Sequence, residues 1–145
     1  MLLKRMLFSL ACIFAACLFM GLCVTPFEQG NWSNIDRNTR GITRVDVKFF
    51  CQDQVLNGVP CCPTGDPYRV HLYGSCSPSD CDWGEVTARR LPSGHIYAYY
   101  NQGFARRHDY LKPSSYREGA LWMYIYTDFT DPGRRDYSAH YWFRK

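Results

Sequence analysis

The sequence lacks several of the patterns by which a function is usually recognised. It contains no CxxC or HxxxH spacing for a metal and no GxSxG or HExxH frame for hydrolysis. Repeats, low-complexity runs and an amphipathic helix are also missing. Charge is nearly balanced, with 17 Lys and Arg, 13 Asp and Glu and a formal net charge of +4, which does not favour nucleic acid as a partner. We therefore expect no cofactor, no metal and no nucleic-acid partner.

Hydrophobic residues are concentrated at the N-terminus. Lys4 and Arg5 precede a long apolar run that ends near Cys23, which is the layout of a secretory signal peptide. We predict that residues 1–23 are removed and that residues 24–145 form one domain. Removal takes away two basic residues and no acid, so the formal charge falls from +4 to +2. The predicted location is secreted, periplasmic or in the cell envelope.

Two alternatives to cleavage concern the same apolar run. The run is just long enough to be kept as a membrane anchor, which needs about 18 apolar residues. The segment FAAC also places Cys17 where a lipoprotein would be lipidated. In either case the leader would be the only contact with a membrane, and the interpretation of the remaining domain would not change.

The cysteines beyond the leader favour disulfides over metal ligands in an exported chain. They are Cys51, Cys61, Cys62, Cys76 and Cys81. Cys76 and Cys81 flank a short polar loop, so we predict that they pair. We expect Cys51 to pair with Cys61 or Cys62, with Cys62 as the assigned partner. The remaining thiol is free, joins another chain, or pairs with Cys23 if cleavage falls earlier.

Beyond Gly30, apolar and polar residues alternate with period two, and turn residues interrupt the pattern at short intervals. Eight strands are predicted, at 30–35, 42–50, 68–75, 84–91, 95–102, 104–112, 120–129 and 137–145. Loops this short join antiparallel neighbours, and no helix remains to cover a sheet. The predicted fold is an all-β, antiparallel eight-stranded meander barrel, because closure removes exposed edges. A β-sandwich is the second choice.

The first predicted strand carries a motif that resembles a known family. Gly30, Asn31 and Trp32 form GxW, which is similar to the first strand of lipocalins and, with Asn34, to the GxWxN of avidins. This resemblance implies a calycin-like barrel in which Gly30 and Trp32 are structural and Trp32 packs on Arg144 of the last strand. The patterns WxNxDxxTRGITR and CxPxxCDWG also resemble a set of uncharacterised exported bacterial domains. Neither resemblance implies a ligand.

Several predicted strands carry aromatic residues on both faces, which is more aromatic surface than one small core needs. We interpret the second face as a binding surface, because these side chains combine flat rings with hydrogen-bonding groups. The candidate ligand-binding residues are Tyr73, Trp83, Tyr97, Tyr99, Trp122, Tyr124, Tyr126, His140 and Trp142. The alternative is that they serve as core and cross-strand pairs, with Trp83 sealing the end of the barrel.

These observations predict an exported binding protein. The partner is expected to be a small apolar or sugar-like molecule, or a protein. No residue is assigned as catalytic. A secreted enzyme is the first alternative, and it requires His71 and His140 to meet in one cleft with Arg or Tyr. The second alternative is an envelope-associated structural or inhibitor module.

Overall fold

The described part of the chain is built from β-strands. The computed structural model describes residues 23–51, 55–60 and 65–145. The strands are β1 (Gly30–Asn34), β2 (Ile42–Phe49), β3 (Val55–Leu56), β4 (Val59–Pro60), β5 (Tyr68–Gly74), β6 (Cys81–Arg90), β7 (Ile96–Asn101), β8 (Ala105–Pro113), β9 (Leu121–Phe129) and β10 (Tyr137–Arg144). Within these ranges there is no helix that is long and apolar enough to cross a membrane. The predicted leader lies outside them, except for Cys23.

Eight of these strands form a closed barrel in the order β1-β10-β9-β8-β7-β6-β5-β2. All neighbours are antiparallel, and β1 closes the barrel by pairing with β10. The prediction of an eight-stranded meander barrel is confirmed. The small β3–β4 hairpin was not predicted, because strands of two residues are too short to show an alternating pattern. Asn57 and Gly58 form its turn, both with positive φ (52° and 80°), as a two-residue hairpin turn requires.

The barrel interior is filled by the inward-facing half of each alternating pattern. Val45 and Val47 of β2 are buried, while Asp46 lies between them on the outside, as predicted for this strand. The core consists of Trp32, Ile42, Val45, Val47, Tyr68, Val70, Leu72, Ala88, Ile96, Ala98, Tyr100, Leu111, Leu121, Met123, Ile125 and Phe143. Removing this much apolar surface from water is the main force that favours the folded state. Packing of the interior also leaves most polar side chains on the outer surface.

Trp32 closes one end of the barrel. Its ring is completely buried, and its indole N–H donates a hydrogen bond of 2.8 Å to the carbonyl oxygen of Glu28. The Glu28 side chain is itself 3% exposed and accepts a hydrogen bond of 3.0 Å from Arg90 at the end of β6. Arg90 also donates to the hydroxyl of Tyr68 at 2.7 Å. Trp32 is therefore connected through Glu28 and Arg90 to β5 and β6, which are two and three strands away from β1 around the barrel.

The cation next to Trp32 is not the residue that the resemblance predicted. Lys145 places its ammonium group 4.7 Å from the Trp32 ring centroid, whereas Arg144 is exposed on the outer surface. Strand alternation explains the difference, because Phe143 faces inward and its neighbour Arg144 must then face outward. Gly30 has a φ of +139°, a backbone conformation that residues with a side chain rarely adopt, and a Cβ at this position would lie 2.8 Å from the Cε of Lys145.

The β6 strand begins earlier than expected. It starts at Cys81, so Trp83 belongs to β6 and not to the loop that precedes it. The register between β5 and β6 shifts between His71 and Tyr73, and Gly84 has a φ of +83°. An irregularity of this kind interrupts the alternating pattern, which is why the sequence indicated a later start.

Two disulfides lie in the described ranges. Cys76 and Cys81 are bonded, as predicted, with Cα atoms 5.5 Å apart. The predicted partner of Cys51 is wrong, because Cys51 is bonded to Cys23 with a Cα separation of 6.0 Å. The error arose from assigning Cys23 to the leader, which left Cys51 only downstream partners. Cys61 and Cys62 lie outside the described residues.

The barrel interior also contains polar side chains that have no hydrogen-bond partner among the described residues. Asp109 of β8 is completely buried, and within the described ranges neither of its carboxylate oxygens has a partner, nor does the hydroxyl of buried Thr127 on β9. Burial raises the pKa of Asp109 to about 8, although the positive charge of Arg107 opposes this shift. The folded state therefore favours the neutral carboxyl group.

The Cys23–Cys51 bond predicts the position at which the leader is cleaved. We expect cleavage of the leader before Cys23, because a cut after it would remove one partner of the bond. Digestion of the exported protein without reduction should yield a peptide that joins Cys23 to Cys51, detected by mass spectrometry. A mature chain that begins after Cys23, with Cys51 joined to Cys61 or Cys62, would contradict this prediction.

Asp109 predicts a pH dependence of stability. Its pKa is raised from 3.8 to about 8 on folding, so between these values the unfolded chain releases a proton that the folded chain keeps. Stability should fall as the pH rises through this range, by at most about 1.4 kcal/mol per pH unit. Asp109→Asn should remove this contribution, so its stability relative to the wild type should be greater at pH 8 than at pH 4.

Urea unfolding at pH 4, 6 and 8 measures this difference. Glu118→Gln is the matched control, since Glu118 is an exposed acid and its substitution should not change the pH profile. A difference between Asp109→Asn and the wild type that is the same at all three pH values would exclude the proposed role of Asp109.

Candidate functional site

The outer surface of β7 to β10 carries aromatic and polar side chains and no aliphatic one. Residues next to buried positions of a strand point outward. Here the outward positions are Tyr97, Tyr99, Asn101, Arg106, His108, Tyr110, Lys112, Trp122, Tyr124, Tyr126, Asp128, Ser138, His140, Trp142 and Arg144. We define the aromatic face as His95, Tyr97, Tyr99, His108, Tyr110, Trp122, Tyr124, Tyr126, His140 and Trp142.

The strand register aligns the rings of the aromatic face in rows across the strands. Tyr97 is paired with Tyr110, Tyr110 with Tyr124, and Tyr124 with His140. Their ring centroids are 5.2, 6.0 and 5.8 Å apart in that order, which are favourable separations for aromatic pairs. This row gives a continuous ring surface over four neighbouring strands.

A second row contains two indoles. Trp122 of β9 is paired with Trp142 of β10, and His95 lies 6.0 Å from the Trp122 ring centroid. The Trp122 plane is within 15° of the Tyr124 plane and within 29° of the His140 plane. These three rings on two adjacent strands therefore have nearly parallel planes.

The polar atoms of the aromatic face include both hydrogen-bond donors and acceptors. The Tyr97 hydroxyl and Nδ1 of His108 share a hydrogen bond of 2.8 Å, and burial raises the pKa of Tyr97 above its ordinary value. Burial and the positive charge of Lys112 lower the pKa of His95, so this imidazole is neutral at pH 7. A neutral imidazole offers one donor and one acceptor, and a protonated hydroxyl offers both.

Three cavities lie along the aromatic face. The first, of about 540 Å³, is lined by His95, His108, Tyr110, Trp122, Tyr124 and Tyr126. The second, of about 240 Å³, is lined by Lys112, Ser114, Ser115, Tyr116, Trp122, His140 and Trp142. The third, of about 350 Å³, is lined by Asn34, Ile35, Asp36, Thr39, Arg117, His140, Tyr141 and Trp142. Shared residues connect them: Trp122 joins the first to the second, and His140 and Trp142 join the second to the third.

Most of the predicted binding residues lie together on this face, but two lie elsewhere. Tyr73 is on β5, where its ring stacks on His71 at 4.5 Å and contacts the Arg44 guanidinium at 3.6 Å. Trp83 packs against the core at the barrel end near Gly74, where an added Cβ would lie 2.7 Å from its indole nitrogen. Arg107 covers the Trp83 ring at 4.0 Å. These contacts correspond to the alternative described for Trp83, in which it seals the barrel.

The sequence interpretation missed several members of the face. His108 and Tyr110 of β8 lie at its centre, His95 lies at one edge, and Lys112 borders the second cavity. Alternation along residues 104–112 places His108, Tyr110 and Lys112 on one side, so this signal was present in the sequence. The strand register that places these residues between β7 and β9 could not be predicted from the sequence.

The two histidines required by the enzyme alternative do not meet. His71 on β5 and His140 on β10 are separated by β1 and β2 in one direction and by four strands in the other. His71 contacts Asp82 at 2.5 Å, while His140 lines two of the cavities. Across the ranges that the structure describes, no group of three His, Cys, Asp or Glu residues is arranged to hold a metal ion.

Comparison with known proteins does not assign this chain to a family. No protein-family model, no curated protein and no solved structure matches it. The similarity to calycins therefore stays a resemblance in the GxW motif. What the fold and the surface define is a class: a small, closed, antiparallel β-barrel of eight strands with an exposed aromatic cluster on one side.

Proposed function

We propose that this chain is an exported saccharide-binding protein that binds its ligand along the aromatic face. The observation that carries this proposal is the composition of the outward positions on β7 to β10. Rings with polar tips occupy the middle of this surface, charged and amide side chains occupy its margins, and aliphatic side chains are absent. Few classes of ligand match a surface of this composition.

A pyranose ring has complementary chemistry. One side of the sugar presents C–H groups, which pack against a flat aromatic ring, and its edge presents hydroxyls. Tyr hydroxyls and neutral imidazoles both donate and accept hydrogen bonds, as sugar hydroxyls do. Trp122 and Tyr124 supply aromatic rings for this packing, and His95 and Tyr110 line the same first cavity.

The other ligands expected from the sequence fit this surface less well. A small apolar molecule binds best in an enclosed apolar cavity, whereas the barrel interior is occupied by core side chains. A stable protein interface has a central apolar patch from which charged residues are depleted, and its Tyr and Trp side chains cluster near the centre. Here the rings form continuous rows, which suits a ligand with repeated units.

Trp122→Ala tests this proposal. Trp122 lines two connected cavities, so loss of its ring should lower affinity for an oligosaccharide by about tenfold or more, as for a central aromatic contact. Affinity is measured by isothermal titration calorimetry over a panel of purified tri- to hexasaccharides. Tyr73→Ala is the matched control, because Tyr73 is an aromatic residue on the other side of the barrel, and its affinity should equal that of the wild type.

Thermal unfolding of both variants shows whether the barrel remains folded. If no saccharide in the panel binds the wild type, or if Trp122→Ala and Tyr73→Ala lower affinity equally, the proposal is wrong. Recovery of a stoichiometric protein partner from the native host, with binding abolished by Trp122→Ala, would assign the face to protein recognition instead.

A further inference from the structure

We infer that the second cavity, which lies between the β8–β9 loop and β10, selects acidic saccharides. We call this cavity of about 240 Å³ the cup. The inference rests on the proposed function, since it assigns a charge preference to one end of the same surface. Three features carry it: cations without an acidic partner, a wall of aromatic rings, and a loop held in place by its own hydrogen bonds.

One cation in the cup, Lys112, and one in the adjoining third cavity, Arg117, have no carboxylate partner in the described part of the chain. Lys112 lies 5.2 Å from the Trp122 ring centroid, and Arg117 lies 5.0 Å from that of Trp142. Neither forms an ion pair with a described acid, whereas Arg106 is paired with Asp128 at 2.6 Å on the same outer surface.

No carboxylate lines the cup, and its lining includes one further basic side chain, His140. Asp36 lines the third cavity, as Arg117 does, but no ion pair joins the two. Unpaired cations beside an aromatic wall create a positive potential, which attracts an anionic ligand and repels a cationic one.

The walls of the cup suit a sugar ring. Trp122 and Trp142 form one side and exposed Tyr116 stands at the rim. The indole nitrogen of Trp142 is buried and has no acceptor among the described residues, so an oxygen of a ligand that reached it would satisfy an unpaired donor. A sugar ring that stacks on Trp122 brings a charged substituent close to Lys112.

The β8–β9 loop holds the rim residues in place. The Ser114 hydroxyl oxygen accepts hydrogen bonds from the backbone N–H groups of Tyr116 and Arg117 at 3.2 and 3.0 Å. The N–H of Ser114 donates to the carbonyl of Ala120 at 2.9 Å. A loop that is fixed before binding loses little conformational entropy when the ligand binds.

Two probes that differ only at C6, and therefore in charge, test the inference. A β-1,4-linked glucuronic acid trisaccharide and cellotriose share their linkage, and only the first carries carboxylates. Calorimetry should show affinity for the acidic probe that is at least about tenfold higher at low ionic strength, and this preference should shrink as NaCl is added. Lys112→Gln and Arg117→Gln should each lower the preference about threefold or more, because each should weaken binding of the acidic probe more than binding of cellotriose.

Lys48→Gln is the matched control, because Lys48 is a cation on β2 that is paired with Glu85, and it should keep the wild-type preference. Cellotriose that binds as tightly as the acidic probe would overturn the inference and leave the proposed function in place. Inorganic sulfate that competes fully with the acidic probe would also overturn it, since the cup would then bind any anion. If neither trisaccharide binds and the wider panel also fails, both proposals are wrong.

Discussion

Closure of the barrel by the pairing of β1 with β10 is the constraint on which the rest of the structure depends. Once the last strand pairs with the first, each strand has an inner and an outer side, and every residue must face one or the other. Alternation then separates the chain into two chemical surfaces. Trp32, Phe143 and their neighbours fill the interior, while the remaining aromatic residues are left on the outside. The aromatic face follows from an excess of rings over the space available inside.

The two sides of the barrel differ in how their outer side chains are used. On β2, β5 and β6 the outer residues interact with one another, as in the pairs of Lys48 with Glu85 and His71 with Asp82. Exposed pairs of this kind add little stability, but they leave few groups available for a partner. On β7 to β10 the rings contact one another, and Lys112 and Arg117 form no ion pair with a described acid. This difference is the reason for proposing binding on one side only.

The sequence was sufficient for the fold because strand alternation and short turns are local properties. All eight barrel strands were predicted, and the inward and outward sides of β2 followed from its pattern. Contacts that depend on strand register were harder to predict from the sequence. Tyr73 and Tyr97 looked equivalent in the sequence, yet strand order places them on different sides of the barrel. The partner of Cys51 was also wrong, because the choice depended on where the leader was taken to end.

The shape of the barrel has a consequence for the kind of saccharide that the proposed function would allow. The aromatic face covers four of the eight strands, so it extends around about half of a convex cylinder. A rigid, flat ligand such as the surface of a crystalline polymer would touch such a cylinder only along a narrow line. A single flexible chain bends with the curvature and contacts successive rows, from Tyr97 on β7 to Trp142 on β10. The curvature therefore favours soluble or loosely packed chains over ordered polymer surfaces.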